Sequence, residues 1–469
     1  MKILACVCLF LYSIPAFTQP ITQQLTTAFS KLAADTQFSH ATISMYVVES
    51  KTGKMVFSKN EQLGMAPASC QKIVTSISAF ELLGKHYSYK TFIGHDGIIK
   101  DGRLIGNIII AGSGDPTLGS WRWQQTKREL LFANILSAVN KKNISSIDGG
   151  VYINDLNFSL QPLPDGWIWQ DIGNYYGAGA WGFNWNENQF DLNLKAGYKP
   201  GDQAEIISTS PVDLKNDFTN MITTGPKGSG DNAYIYAAPF GERLFATGTI
   251  PAGENKFTIA GSMPNPPLYF AKALGEYFNK NKMLTNTVAD SYSNLFMNKG
   301  KAPLMMKIFD SIISPSLDSI NYWFLKKSVN LYGEAFVKTI GYEKIKQGST
   351  DSGMALIKNF WRGKGIDMAS IKIIDGSGLS PANRITTKAL VSMLQFARNQ
   401  GWFESFYNAL PVLNALHMKD GYINGVRSYT GYVKSSSGTE YSFSFIVNNF
   451  DGSPGTVREK MWRLLDILK

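Results

Sequence analysis

Disulfide and metal chemistry are almost missing from this sequence: its 469 residues hold three cysteines and four histidines. Two of the cysteines, Cys6 and Cys8, lie in the first apolar stretch, so a chain trimmed behind that stretch keeps Cys70 alone. A lone thiol makes no internal disulfide, and the protein must then hold together by its cores. No histidine stands at ligand spacing to another or to a cysteine, which excludes the common zinc motifs and favours a mechanism without metal or cofactor. Charged residues are sparse at 17%, and the formal charge of +10 comes from lysines and arginines dispersed among acidic residues. No basic run interleaved with aromatics is present, so nucleic acid is not an expected partner, and the excess reads as a solvated surface useful near anionic envelope polymers. Past the N-terminal stretch no segment is apolar for long enough to span a bilayer, which leaves at most a peripheral membrane association.

What the chain does hold is the composition of a packed multidomain protein, with 44% apolar and 13% aromatic residues over a length that suits two or three cores. Residues 1–18 read as a secretory leader: Lys2 supplies the positive start, Ile3 to Phe17 is nearly uncharged, and Ala16-Phe17-Thr18 offers small residues for cleavage. Pro15 and the polar run Gln19 to Gln24 speak against an anchor, and Cys6 precedes most of the apolar run, against a lipoprotein site.

Along the chain the texture changes twice. From Ala41 to Lys59 the alternation of Ile43, Met45 and Val47 with Ser44, Tyr46 and Val48, the turn Glu49 to Gly53 and the return Lys54 to Ser58 predict a hairpin. A helix is expected from Ser69, with Ile73, Ile77, Phe80 and Leu83 at helical spacing and Gly84 placed to end it. Residues 92–295 are rich in Gly, Asn, Asp and Trp with short strand-like runs such as Ile108 to Ile110 and Ala233 to Ala237, and read as an inserted, mostly β region. Helix is expected to return near Pro303 and over Leu331 to Ile340, Ser352 to Trp361 and Thr387 to Arg398, followed by a hairpin, Val426 to Val433 and Tyr441 to Asn448, and a helix from Val457 to Leu468. Residues 19–91 and 296–469 are therefore expected to be two halves of one α/β domain.

The residues that carry chemistry start with Ser69-Cys70-Gln71-Lys72. On a helix, positions three apart share a face, so a first-turn serine and a lysine one turn later bring hydroxyl and amine together. A buried lysine beside a positive helix end loses its proton near neutral pH and can deprotonate the serine. The pattern S-x-x-K also arises by chance in a chain of this size, where it is only a solvated lysine on a capped helix. Ser328-Val329-Asn330 opens a predicted helix, and either polar residue also suits an N-cap.

In order along the chain, Pro67-Ala-Ser-Cys-Gln-Lys72, Gly112-Ser-Gly-Asp-Pro-Thr-Leu118, Ser328-Val-Asn-Leu-Tyr-Gly-Glu334 and Asp375-Gly-Ser-Gly-Leu-Ser-Pro-Ala-Asn-Arg384 resemble the penicillin-binding protein 4 type of D-Ala-D-Ala carboxypeptidase/endopeptidase. The resemblance runs from about Gln24 to the C-terminus. It implies a β-lactamase/transpeptidase-like α+β domain, an antiparallel sheet flanked by helices and interrupted by the insertion. The only literal Lys-Thr-Gly, Lys51-Thr52-Gly53, falls in a hairpin turn before the nucleophile, and Lys434-Ser435-Ser436 falls in another. The family's third motif opens a strand that runs into the terminal hairpin, a register that selects Lys419-Asp420-Gly421. Asp420 thus replaces a threonine whose hydroxyl, in relatives, helps bind the substrate's terminal carboxylate; a carboxylate there repels it unless protonated, turned away or paired. The stretch from Leu410-Pro411 to Lys419 is also shorter than in relatives.

The resemblance further implies roles. Ser69 attacks the carbonyl between two D-alanines with Lys72 as base, Ser328 relays a proton to the leaving amine with Lys419 beside it, and Asn330 orients substrate and Lys72. Gly421 and Asp420 belong to the substrate-binding strand, and the backbone N–H groups of Ser69 and Tyr422 form the oxyanion hole, a contribution commonly worth ~3 kcal/mol per donor. In Gly166-Trp-Ile-Trp-Gln-Asp171, with Tyr176 beyond, Asp171 is the candidate receiver of the stem peptide's diamino-acid amine, or else a loop carboxylate beside structural tryptophans. Gly112 to Leu118 is not a phosphate loop, and Asp375 to Ser380 is expected to shape a turn. The expected partners are a peptidoglycan stem peptide and, covalently, β-lactams, in a secreted, periplasmic protein of open oligomeric state. Two rivals follow from the same residues: a β-lactamase, which the large insertion opposes, and a weakened peptidoglycan-binding member, which Asp420 suggests.

Overall fold

The computed structural model describes residues 20–285, 288–300 and 306–469. The expected leader, 1–18, lies outside the described residues. Strands from the two ends of the chain form one six-stranded antiparallel sheet, in the order Val412–Leu413, Leu416–Ile423, Val426–Lys434, Glu440–Asn448, Thr42–Glu49, Met55–Lys59. The join is the antiparallel pair that sets Thr42 opposite Asn448 and Glu49 opposite Tyr441. Period-2 alternation sorts the two faces. Met45, Val47, Phe443, Phe445 and Val447 bury one face under Leu25, Phe29 and Leu32 of the helix Ile21–Ala33 and Val457, Met461 and Leu464 of the helix Pro454–Leu465. Each large apolar side chain that this face takes out of water contributes about 2 kcal/mol to the packing.

The opposite face carries buried hydroxyls, which let helices approach closely because each finds a partner. Ser44 Oγ lies 2.7 Å from Thr387 Oγ1, Thr430 Oγ1 lies 2.9 Å from Ser444 Oγ, and Tyr432 donates to Leu394 O at 2.8 Å. Thr387–Arg398 forms the helix expected there, and the helices Asn330–Ile345 and Thr350–Gly363 extend the expected segments at both ends. The helix Lys72–Leu82 lies in the middle of this layer, with every residue from Lys72 to Phe80 buried. A 3₁₀ turn, Ala68–Gln71, precedes it, so the nucleophile candidate sits on that turn and not in the first turn of the α-helix.

Between these halves a five-stranded sheet takes the order Ala289–Ser291, Val151–Asn154, Ile108–Ala111, Lys90–His95, Lys307–Ile313. Its last two strands pair with Lys90 opposite Ile313, so strand pairing of this region continues past residue 295. Residues 301–305, around Pro303, lie outside the described residues; the segment that follows is this strand, and helix resumes at Leu317. Three three-stranded sheets, centred on Gln189–Lys195, Leu244–Pro251 and Arg103–Ile105, fill much of the rest of the region together with the helices Arg128–Lys141 and Pro266–Lys280. Phe132, Ile135, Phe270, Leu274 and Phe278 from those helices bury themselves in one core with the strands. Among the described residues no helix is long and apolar enough to cross a membrane.

Candidate active site

The segment before the nucleophile is held in a shape that non-glycine residues seldom adopt: Ala68 has φ +45°. The turn that follows presents Ser69 to a cavity of about 870 Å³ and puts Lys72 beneath it, fully buried, with Nζ 2.9 Å from Ser69 Oγ. The other two neighbours of this amine are both acceptors, Asn330 Oδ1 at 2.6 Å and the Ser377 carbonyl at 2.6 Å. Nζ thus meets three acceptors, the Ser69 hydroxyl among them; once the amine is neutral, two N–H groups serve Asn330 and Ser377, and its lone pair can take the serine proton. The amide of Asn330 is fixed in this sense because its Nδ2 donates to the Tyr176 carbonyl at 2.8 Å. Burial, then the charge of Lys419, brings the Lys72 amine down to about 7.

Ser328 also lines the cavity, at φ +56°. The capping reading of this segment is corrected: Val329 is the N-cap of the helix Asn330–Ile345 and no side chain caps it, so both polar residues are free for the site. One turn into that helix, Glu334 is fully buried and accepts the Gly376 N–H on both oxygens at 3.0 Å; burial, then Asp375, pushes its carboxyl up. Asp375 does more than shape a turn. One carboxylate oxygen accepts from Gln71 Nε2 at 2.8 Å and Asn383 Nδ2 at 2.9 Å, and the other from Ser380 N at 2.7 Å and Trp167 Nε1 at 2.9 Å. This loop therefore presents the Ser377 carbonyl to Lys72 and ties the inserted region to the residue between nucleophile and base.

The third component is the strand Leu416–Ile423. Its neighbour Val412–Leu413 pairs only with Leu416 and His417, across a tight turn in which Asn414 and Ala415 both have positive φ, so the outer edge is unpaired from Lys419 onward. Lys419 is 1% exposed, and its carbonyl accepts from Cys70 Sγ at 3.1 Å. The approach is close enough that a Cβ on Gly421 would lie 2.9 Å from Ser69 N and 2.7 Å from Pro67 O. Tyr422 lines the cavity beside Ser69. Asp420 is paired: its Oδ1 accepts from Lys419 Nζ at 2.9 Å, and although burial works the other way, Lys419 and then Arg427 hold its carboxyl below the usual range. Lys51 to Gly53 occupies the hairpin turn, as read from the sequence.

Asp171 lines the same cavity, with Tyr176 hydrogen-bonded to it and burial raising its carboxyl. Ser69, Ser328, Asn330, Tyr422 and Asp171 thus line one cleft, with Lys72 bonded beneath Ser69 and Asn330, and with Lys419, Asp420 and Gly421 preceding Tyr422 on its strand. Sequence reading missed the second layer. Glu334 stands four residues beyond Asn330, on the same inner helix face, a signal that could have been read. Ser377, Glu187 and Lys338 offered none, because their partners come from distant segments. Glu187, fully buried, accepts from Arg122 Nε, Ser120 Oγ and Tyr332 Oη, each at 2.7 Å, and Lys338 Nζ donates to the carbonyls of Gln161 at 2.7 Å and Ala180 at 2.8 Å.

A serine hydroxyl 2.9 Å from a buried lysine amine, on a turn that leads into a helix packed against an antiparallel sheet, is the arrangement of the serine acyl-transfer class with the S-x-x-K motif. Within that class the chain belongs to the D-Ala-D-Ala carboxypeptidase 3 (S13) family, which residues 25–467 match. It is 25% identical over 451 residues to the D-alanyl-D-alanine carboxypeptidase of Actinomadura sp. strain R39, covering 89% of this chain and 80% of that one. To D-alanyl-D-alanine carboxypeptidase DacB of Haemophilus influenzae it is 22% identical over 426 residues, covering 85% and 83%. A Dictyostelium discoideum relative, penicillin-sensitive carboxypeptidase A, is 23% identical over 451 residues, covering 84% and 80%. The crystal structure of penicillin binding protein 4 from Haemophilus influenzae shares the fold, with a TM-score of 0.78 at 19% identity over 94% of this chain and 97% of that one.

Proposed function

We propose that this protein is a penicillin-sensitive serine D-Ala-D-Ala carboxypeptidase and endopeptidase of peptidoglycan stem peptides, acting through an acyl-enzyme on Ser69. The observation that carries the reading is the fully buried Lys72 amine, with Nζ 2.9 Å from Ser69 Oγ. As the amine takes the hydroxyl proton, the Oγ–C bond forms at the carbonyl of the penultimate D-alanine, and the oxyanion lies against the N–H groups of Ser69 and Tyr422. Collapse breaks the C–N bond, and the leaving amine takes its proton through Ser328, with Lys419 close behind. Water then resolves the ester. The substrate runs along the unpaired edge of Leu416–Ile423 by strand addition, with its diamino-acid amine at Asp171.

The catalytic unit in this reading is built from the chain's two ends around the insertion, with the pair Lys90 and Ile313 as the crossing point. A periplasmic location after loss of residues 1–18 fits a peptidoglycan substrate. Penicillin traps the same ester. Fluorescent penicillin is expected to label the wild-type protein and not Ser69→Ala, with the adduct mapped by mass to Ser69, and stem pentapeptide is expected to release D-alanine. Equal labelling of the two proteins would refute the acyl-enzyme. Rapid nitrocefin hydrolysis without D-alanine release would make the protein a β-lactamase instead.

A further inference from the structure

The free edge of Leu416–Ile423 differs on the two sides of the nucleophile. Past Gly421, the residues Tyr422, Ile423 and Asn424 open into the cavity that also holds Asp171. Before Gly421 stand Asp420 and Lys419. A peptide laid on this edge with its scissile carbonyl between Ser69 N and Tyr422 N has room for its acyl part over residues 422–424, and its leaving group falls beside Asp420. There the ammonium is already occupied. Lys419 Nζ donates to Asp420 Oδ1 at 2.9 Å and to the Asp420 carbonyl at 2.7 Å. The other cation acting on Asp420, Arg427, has its Nε bonded to Tyr429 Oη at 3.0 Å and its guanidinium 5.7 Å from the centre of the Tyr422 ring. Asp420 remains 35% exposed at its side chain while Lys419 is almost wholly covered, so the charge offered to an incoming group is the carboxylate.

We propose that Asp420 sets the leaving-group specificity: it stands where the free α-carboxylate of a departing D-alanine would bind, and the enzyme prefers a leaving amine that carries no free carboxylate beside it, such as a D-amino acid amide or a lysine-type side-chain amine of a neighbouring stem. The inference rests on the proposed acyl-enzyme. A leaving group with its own carboxylate must displace Asp420 from Lys419 or sit against it, whereas a neutral one does neither.

Two peptides with the same acyl part, one ending in D-Ala-D-Ala and one in D-Ala-D-alaninamide, test this through kcat/KM. The wild-type protein is expected to favour the amide about tenfold or more, and Asp420→Thr to raise kcat/KM for the free acid relative to the amide about tenfold, mostly through KM. Asp420→Asn, which keeps the size of the side chain, is expected to move the ratio in the same direction. A wild-type preference for the free acid, or a ratio unmoved by both substitutions, overturns the inference. Turnover of either peptide that is lost in Ser69→Ala leaves the acyl-enzyme standing in that case. Absence of turnover of both peptides by the folded wild type overturns the two readings together.

Discussion

A lysine amine buried between two carbonyl acceptors and a serine hydroxyl changes its charge near neutrality, and pH tests it directly. Burial first, and Lys419 second, set its titration near 7, against 10.5 in the unfolded chain. Below that value the protonated amine has no lone pair for Ser69, so the rate of acylation is expected to rise as pH passes upward through about 7 and then to level. The same shift has a stability sign. The folded state binds this proton more weakly than the unfolded chain, so the cost of burying Lys72 is greatest below 7 and fades as pH rises toward 10.5. Stopped-flow acylation across this range decides the matter, and a flat profile would remove Lys72 as the base. At this scale the sequence was informative wherever the partners lie close along the chain, as with Ser69 and Lys72. It was silent on Ser377, because a backbone carbonyl has no side-chain signature.

Strands and helices serve the site by how closely they approach one another. Gly421 lies where the cleft strand crosses the nucleophile turn, and an added Cβ would also press on Ser428 Oγ. Gly421→Ala is expected to push the strand outward, costing about 1–3 kcal/mol in urea unfolding. Because small displacements of reacting groups are so costly, acylation is expected to fall by about tenfold or more. Acylation at the wild-type rate would show that the strand does not set the oxyanion position. Element boundaries were legible where alternation and helical spacing were strong, as in the terminal hairpin and Thr387–Arg398. The N-cap alternative at Ser328 or Asn330 gives way because two roles compete for the same polar side chains, and Asn330 bonds Lys72 and Tyr176 in preference to its own helix end. The strand Lys307–Ile313, exposed along much of its length, carries a weak apolar pattern and gains its place only by pairing with Lys90–His95.

The molecule as a whole depends on bonds between the inserted region and the two-ended sheet domain. Trp167 reaches Asp375, the Tyr176 carbonyl receives Asn330, and Glu187 gathers Arg122 and Tyr332. Glu187 is fully buried and Arg122 mostly so, with side-chain exposures of 0% and 15%. Glu187→Ala leaves a cation and a buried phenol without their acceptor, and a loss of about 3 kcal/mol is expected in chemical unfolding. A change within about 0.5 kcal/mol would mean that the two regions are held by their apolar cores alone. By itself the sequence determined the hairpins, the principal helices and the order of the motifs, because all of these rest on periodicity and short spacings. Only the tertiary structure decided that Asp420 is paired with Lys419, that Asp375 is a hub, and that Lys72 is held by Asn330 and the Ser377 carbonyl against Ser69. Each of these depends on which distant segments meet in a low-dielectric interior, and no local pattern encodes that.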